Sequence, residues 1–179
     1  MPQYLFASCT LLSLLLVASA STPVGPTIPS TLVPAGQHAV DRVAARGVQV
    51  YQCRGIAGTT QDTHWVFVAP DAQLFDAEGR HAGTHYAGPH WEAPDGSKIF
   101  GIVKAREDAP REGAIPWLLL SAHSFGGEGR FAKVASVQRL NTSGGVAPAR
   151  ACDVTSIGAI ERVPYTADYV LYSMSQPAA

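Results

Sequence analysis

The chain has no basic stripe, no apolar run long enough to cross a membrane and almost no cysteine. Its 179 residues scatter 13 Lys and Arg among 14 Asp and Glu, for a net charge of −1. Gripping a phosphate backbone takes clustered cations, so nucleic acid is excluded as a partner class. The apolar run from about Leu5 to Val17 covers thirteen residues, short of the ~20 a spanning helix needs. Helical periodicity is missing as well. So are the Gly-x-Ser-x-Gly elbow of a hydrolase and the ordered glycines of a dinucleotide fold. "SFGGEGRFA" at 124–132 supplies glycines in the wrong order and context for a phosphate cradle, and reads as a hairpin loop.

What is present begins with a leader. The run Leu5 to Val17 is followed by Ala18-Ser19-Ala20, the small-x-small pattern of a signal-peptidase site, so residues 1–20 read as a signal peptide cleaved after Ala20. The mature chain is then periplasmic or extracellular, with no stable membrane anchor. Export changes the meaning of the cysteines. Cys9 leaves with the leader, and Cys53 and Cys152 remain in an oxidising compartment, where a Cys53–Cys152 disulfide is the economical expectation and two buried thiols the alternative.

Residues 21–36, "STPVGPTIPSTLVPAG", hold four prolines and no periodic pattern. They read as a linker or extended arm before a single domain spanning 37–175. From there turn signals recur every eight to twelve residues, the spacing of an all-β domain. Candidate strands are His38–Ala45 into Val48–Cys53, His64–Val68, Gln73–Asp76, Thr84–Tyr86, Trp91–Ala93, Lys98–Ala105, Ala114–Ala122, Lys133–Leu140 and Asp168–Tyr172. The near-continuous apolar "AIPWLLLSA" at 114–122 reads as a strand buried on both faces, with Pro116 near its start or at a bulge. Asp95-Gly96 is the strongest hairpin signal and suits a type I′ turn. Eight or more short strands without crossover helices predict one antiparallel barrel or sandwich.

The densest chemistry lies in "GTHYAGPHWEAPDGSKIFG", residues 83–101. On an extended strand His90 and Glu92 share a face, and a reversal at Gly88-Pro89 would bring His85 towards Trp91 and Glu92. Imidazole with carboxylate suits zinc or iron, but no His-x-His pair accompanies it, and His81 and His85 would sit ~13 Å apart along one strand. Ser97, Asp95 and a histidine make a hydrolytic set on paper only. Among the aromatics, Trp65 and Trp117 sit in apolar strands as core residues do. Tyr86 and Trp91 have polar neighbours and suit a binding surface.

The segments "GVQVYQC" (47–53), "WVFVAPDAQLFDAEG" (65–79), "GTHYAGPHWEAPDGS" (83–97), "IPWLLL" (115–120), "VQRLNTSGGVAPARAC" (137–152) and "VPYTADYVLY" (163–172) together resemble the bacterial branch of the domain of unknown function 3455 family. The resemblance runs from about residue 38 to 173. It implies an exported, predominantly β protein with no established activity. A malate dehydrogenase label carried by some fungal relatives finds no βαβ pattern here to support it. It places Cys53 and Cys152 at the family's two cysteine positions. It also makes His90 a departure, since that position is commonly a small hydroxyl residue, and a metal site built on His90 loses weight.

The resulting expectation is a binding module for a small molecule, a saccharide or another protein, using His85, Tyr86, Trp91 and Glu92, with no catalytic residue, metal or cofactor assigned. The competing expectation is a metal-assisted enzyme using His85 and Glu92.

Overall fold

The computed structural model describes residues 26–56 and 62–175. The expected leader, the first five residues of the proline-rich arm and most of the polar turn at 58–63 lie outside the described residues.

Eight strands follow in chain order: β1 (Gln37–Gly55), β2 (Thr63–Phe75), β3 (His81–Tyr86), β4 (His90–Glu92), β5 (Lys98–Glu107), β6 (Trp117–Ser124), β7 (Ser136–Gly144) and β8 (Ile160–Met174). Each pairs antiparallel with the next, and β8 returns to β1, so the sheet closes into an up-and-down barrel. Between barrel and sandwich, the long β1–β8 ladder decides: it runs from Gln37↔Met174 to Gln52↔Ile160.

Several strands are longer than their sequence signals. β1 is unbroken through Arg46-Gly47, and Gly47 marks a close approach, because a Cβ there would lie 2.2 Å from the Asp71 carbonyl oxygen. β2 runs straight through Ala69-Pro70-Asp71. Pro70 is tolerated there because it sits beside the β1 register shift at Val50/Tyr51 and beyond the stretch where β2 pairs with β3. The 93–97 hairpin exists, but its turn is not type I′. Gly96 has φ 84°, whereas Asp95 is not left-handed, and the Gly96 N–H donates to the Ala93 carbonyl. Pro94, whose ring fixes φ near −65°, takes the first central position, and Gly96 adopts the left-handed conformation that completes the turn.

Strand alternation splits the apolar residues into two cores. Inside, at the end of the barrel that carries the 93–97 hairpin, Val43, Leu74, Ile99, Phe131, Val137 and Leu171 are all buried. Phe131 comes from the β6–β7 connection, which is held under the barrel. Its N–H donates to Ser97 Oγ, and the Arg130 N–H donates to Asp95. Outside, Trp117, Leu140 and Val170 form a second cluster with Leu32, which lies in a short 3-10 turn, Ser30–Leu32, of the proline-rich arm. Gln138 Nε2 donates to the Leu32 carbonyl at 2.7 Å and holds the arm in place. This explains why "WLLL" is apolar at consecutive positions: Leu118 and Leu120 face the lumen, and Trp117 and Leu119 face the arm. Pro116 immediately precedes β6.

At the opposite end Cys53 and Cys152 form a disulfide, Cα to Cα 5.5 Å, across 99 positions of sequence. It ties the long β7–β8 connection to the end of β1. Closing a loop of that length stabilises by roughly 4–5 kcal/mol in the chain-entropy model. A Cys53→Ala/Cys152→Ala double variant is expected to lose a stabilisation of that order in chemical denaturation. An unchanged midpoint and slope would contradict the assignment.

Candidate functional site

The barrel is not filled along its whole length. Above the closed end, a cavity of about 670 Å³ opens between the strands. Its depth comes from unequal strand lengths. β3 pairs with β2 only from Ala72 to Phe75, and β4 pairs with β5 only from Lys98 to Phe100. Beyond the Gly88-Pro89 tip of that short hairpin, β2 and β5 continue without a strand between them. The wall therefore has a notch, flanked by Phe67, Val68 and Val103, which are about half exposed at 49%, 44% and 52%.

Of the binding candidates in the 83–101 stretch, His85 and Trp91 face this interior. His85 and Trp91 are opposite one another in the β3–β4 ladder, and their rings stack with centroids 4.2 Å apart. Tyr169 meets both edge-on, at 5.2 and 5.4 Å. Gly101 makes room for the indole, since a Cβ there would lie 2.9 Å from Trp91 Cζ3 and from Leu120 Cδ2. His85 Nδ1 bonds the His90 carbonyl at 2.8 Å. That carbonyl only accepts, so Nδ1 carries the proton and Nε2 keeps the lone pair. Burial pushes the imidazole pKa down to about 3, and Arg139 and His90 push the same way against that hydrogen bond. The ring is a neutral acceptor at physiological pH.

Tyr86 and Glu92 face the outside of the same strands. The Tyr86 hydroxyl donates to Glu92 Oε2 at 2.8 Å, and Lys98 Nζ sits 3.0 Å from Oε1. The Lys98 and Tyr86 hydrogen bonds hold the Glu92 carboxyl below its usual range. His90 lies on this outer face too, stacked on Tyr86 at 5.4 Å, beside Phe100 and Phe125. The four sequence-derived binding candidates therefore divide into an inner pair, His85 and Trp91, and an outer pair, Tyr86 and Glu92. His85 and Glu92 do not share a face. Among the described residues no three His, Cys, Asp or Glu side chains cluster as a metal site requires. Ser97 Oγ donates to Asp95 and accepts from the Phe131 N–H; both bonds clasp the β6–β7 connection. Trp117 is buried in the outer cluster, whereas Trp65, opposite Cys53 in the β1–β2 ladder, lies half-buried beyond the cavity lining, beneath the Arg150 guanidinium at 4.8 Å.

The remaining polar groups of the lumen come from strands that sequence patterning did not single out. Arg139 on β7 lies opposite Leu118 and Tyr169 in the ladders, and points inward with them. Its Nε and Nη2 both donate to the Pro116 carbonyl, at 3.0 and 2.8 Å. Gln49 on β1 is 2% exposed and its Nε2 has no partner. Trp91 Nε1 and the Tyr169 hydroxyl are also buried without a hydrogen bond of normal geometry. Tyr165 and Tyr169 lie near each other, and burial raises both pKa values, against the Arg139 charge. Nearer the mouth, the Tyr51 hydroxyl donates to the Gly145 carbonyl at 2.6 Å.

An eight-stranded up-and-down barrel with a ligand-sized, one-ended interior is the class these features define. The chain belongs to the family described as protein of unknown function, DUF3455, which matches residues 34–173. No curated protein and no solved structure is significantly similar to it.

The buried His85 ties stability to pH. The unfolded chain takes up a proton at this side chain near its ordinary value of 6.5, and the folded chain resists until about 3. Stability attributable to His85 is therefore full above 6.5 and falls as pH drops, by up to ~1.4 kcal/mol per pH unit. Denaturation between pH 6.5 and 4.5 should show this slope, reduced by one proton in a His85→Phe variant. Equal slopes in the two proteins would contradict the burial of a neutral imidazole.

Proposed function

We propose that the protein is an exported, non-catalytic binding module that takes a small, predominantly apolar molecule into the lumen of its barrel. One observation carries this reading: the cavity of about 670 Å³ is walled mainly by apolar side chains, among which Gln49 Nε2 and Trp91 Nε1 are buried without a protein partner. A buried donor left without a partner costs ~1–3 kcal/mol, a need that a ligand acceptor would meet. The volume falls within the ~300–1,000 Å³ of small-molecule sites. Of the expected partners, a small molecule fits the lumen better than a saccharide or a protein, because the notch and walls are mainly apolar.

Holding the ligand without transforming it is supported by the wall's chemistry. Among the described residues that line the lumen there is no Ser, Thr, Cys, Lys, Asp or Glu. His85 spends Nδ1 on a backbone carbonyl and stays neutral. Export is supported by the small-x-small pattern at Ala18 to Ala20 and by the disulfide, which a reducing cytosol would not maintain. Among the described residues no helix is long and apolar enough to cross a membrane.

A neutral solvatochromic dye such as Nile red tests the lumen directly. It is expected to bind with a stoichiometry of about one and a blue-shifted emission, as transfer from water to an apolar site requires. Leu118→Trp, which fills the lumen from β6, should abolish the signal with the near-ultraviolet dichroism of the fold retained. Equal dye binding by the variant would contradict the lumen as the site. For export, the mass of protein secreted with its own leader should correspond to a chain starting at Ser21; a chain retaining Met1 would contradict cleavage.

A further inference from the structure

Apart from His85, whose Nε2 accepts, the polar side chains of the lumen mainly offer donors. Gln49 Nε2, Trp91 Nε1 and the Tyr169 hydroxyl can all donate, and all three residues are at least 98% buried. Arg139 adds a guanidinium. Of its five N–H donors, the hydrogen bonds to Pro116 use one on Nε and one on Nη2, which leaves three for another acceptor. The residues that line the lumen include two arginines, Arg139 within and Arg106 at the exposed rim, and among the described residues no carboxylate. No described Asp or Glu forms an ion pair with either arginine. The Arg139 charge is felt across the interior, at Tyr51, His85, Tyr165 and Tyr169 alike.

A half-buried cation beside buried donors favours an anionic group, because the charge is partly desolvated and no carboxylate of the described residues pairs with it. From this, and resting on the reading that the lumen binds a ligand, we infer that the ligand is an amphipathic monocarboxylate whose head group is held by Arg139, with the Tyr169 hydroxyl, Trp91 Nε1 and Gln49 Nε2 as the neighbouring donors. One guanidinium balances one negative charge, and its planar fork matches a planar carboxylate. The apolar body runs towards the notch. β7 stands four strands from β3 in the ring of eight, so a head on Arg139 sits against the wall opposite the gap between β2 and β5. The tail then passes between Leu118, Leu120 and Trp91 to Phe67 and Val103, the exposed apolar edges of that gap. The donor set selects against a cationic head, which Arg139 repels, and gives a neutral alcohol fewer bonds.

Calorimetric titration with decanoate, decan-1-ol and decyltrimethylammonium at neutral pH separates the possibilities. Decanoate is expected to bind one per chain, about tenfold or more tighter than decan-1-ol, the scale of a charge-assisted bidentate contact. The ammonium should bind weakest. Arg139→Gln should bring the decanoate to decan-1-ol affinity ratio down to about one, and Arg139→Lys should restore part of the preference. Decan-1-ol or the ammonium binding as tightly as decanoate to the unaltered protein would overturn the carboxylate assignment with no variant needed. So would an Arg139→Gln protein that keeps the decanoate preference. Either result leaves the lumen reading in place if Nile red still binds and Leu118→Trp still blocks it. Failure of all three amphiphiles together with the dye would overturn both.

Discussion

Everything in this molecule depends on the ladder between its first and last long strands. β1 and β8 pair from Gln37↔Met174 to Gln52↔Ile160, and this closure converts eight antiparallel segments into a ring, interrupted at the notch between β2 and β5. Without it, β1 and β8 would each present a long row of unpaired backbone groups. With it, inward residues of every strand face a common axis, and Val43 and Ala45 on β1 lie opposite Tyr169 and Ala167 on β8. Only a closed ring can have a lumen. The disulfide and the arm act on this ring from outside: Cys53–Cys152 fixes the β7–β8 connection at the mouth, and Leu32 covers the outer apolar stripe of β6, β7 and β8.

The lumen exists because the ring is uneven. Side chains from eight strands are enough to fill a barrel interior, and one end is filled, by Phe131, Leu74 and Ile99 among others. The other end is left open because β3 and β4 are six and three residues long beside thirteen in β2 and ten in β5. The Gly88-Pro89 reversal ends the hairpin early. The same reversal that brings His85 against Trp91 thus also sets the lower edge of the notch. The polar chemistry of the lumen comes from elsewhere in the ring, Gln49 on β1, Arg139 on β7 and Tyr169 on β8, and only closure brings these residues together.

Much of the architecture was legible before any coordinate. Turn spacing marked an antiparallel β domain, and the two cysteines outside the expected leader marked the bridge. Consecutive apolar residues at 117–120 marked a strand covered on both sides. The facing of the 83–101 residues was also within reach, since His85 and Tyr86 are adjacent, as are Trp91 and Glu92, and adjacent residues on a strand point to opposite faces. Collecting all four into one site ran against that rule. Arg139 was not legible. In "VQRL" both faces of β7 are covered, the outer by Leu32 and the inner by the barrel, so Gln138 and Leu140 alternate with Val137 and Arg139 and neither face reads as polar. The turn at 93–97 departed from its dipeptide signal because Pro94 outweighed Asp95-Gly96. The length of β2 was less legible: the candidate strands His64–Val68 and Gln73–Asp76 form one strand through Pro70, a proline compatible with β2 where no β3 partner accompanies it.

The central claim, that ligand enters the lumen, can be read from the three indole N–H groups. Trp91 Nε1 faces the lumen unpartnered, Trp117 Nε1 is buried in the outer cluster, and Trp65, which does not line the cavity, has its Nε1 bonded to the Arg150 carbonyl. Proton–nitrogen correlation spectra recorded during titration with an alkyl carboxylate should show the Trp91 indole signal shifting to saturation while the other two stay in place. Movement of the Trp117 or Trp65 signal with a stationary Trp91 signal would contradict the account.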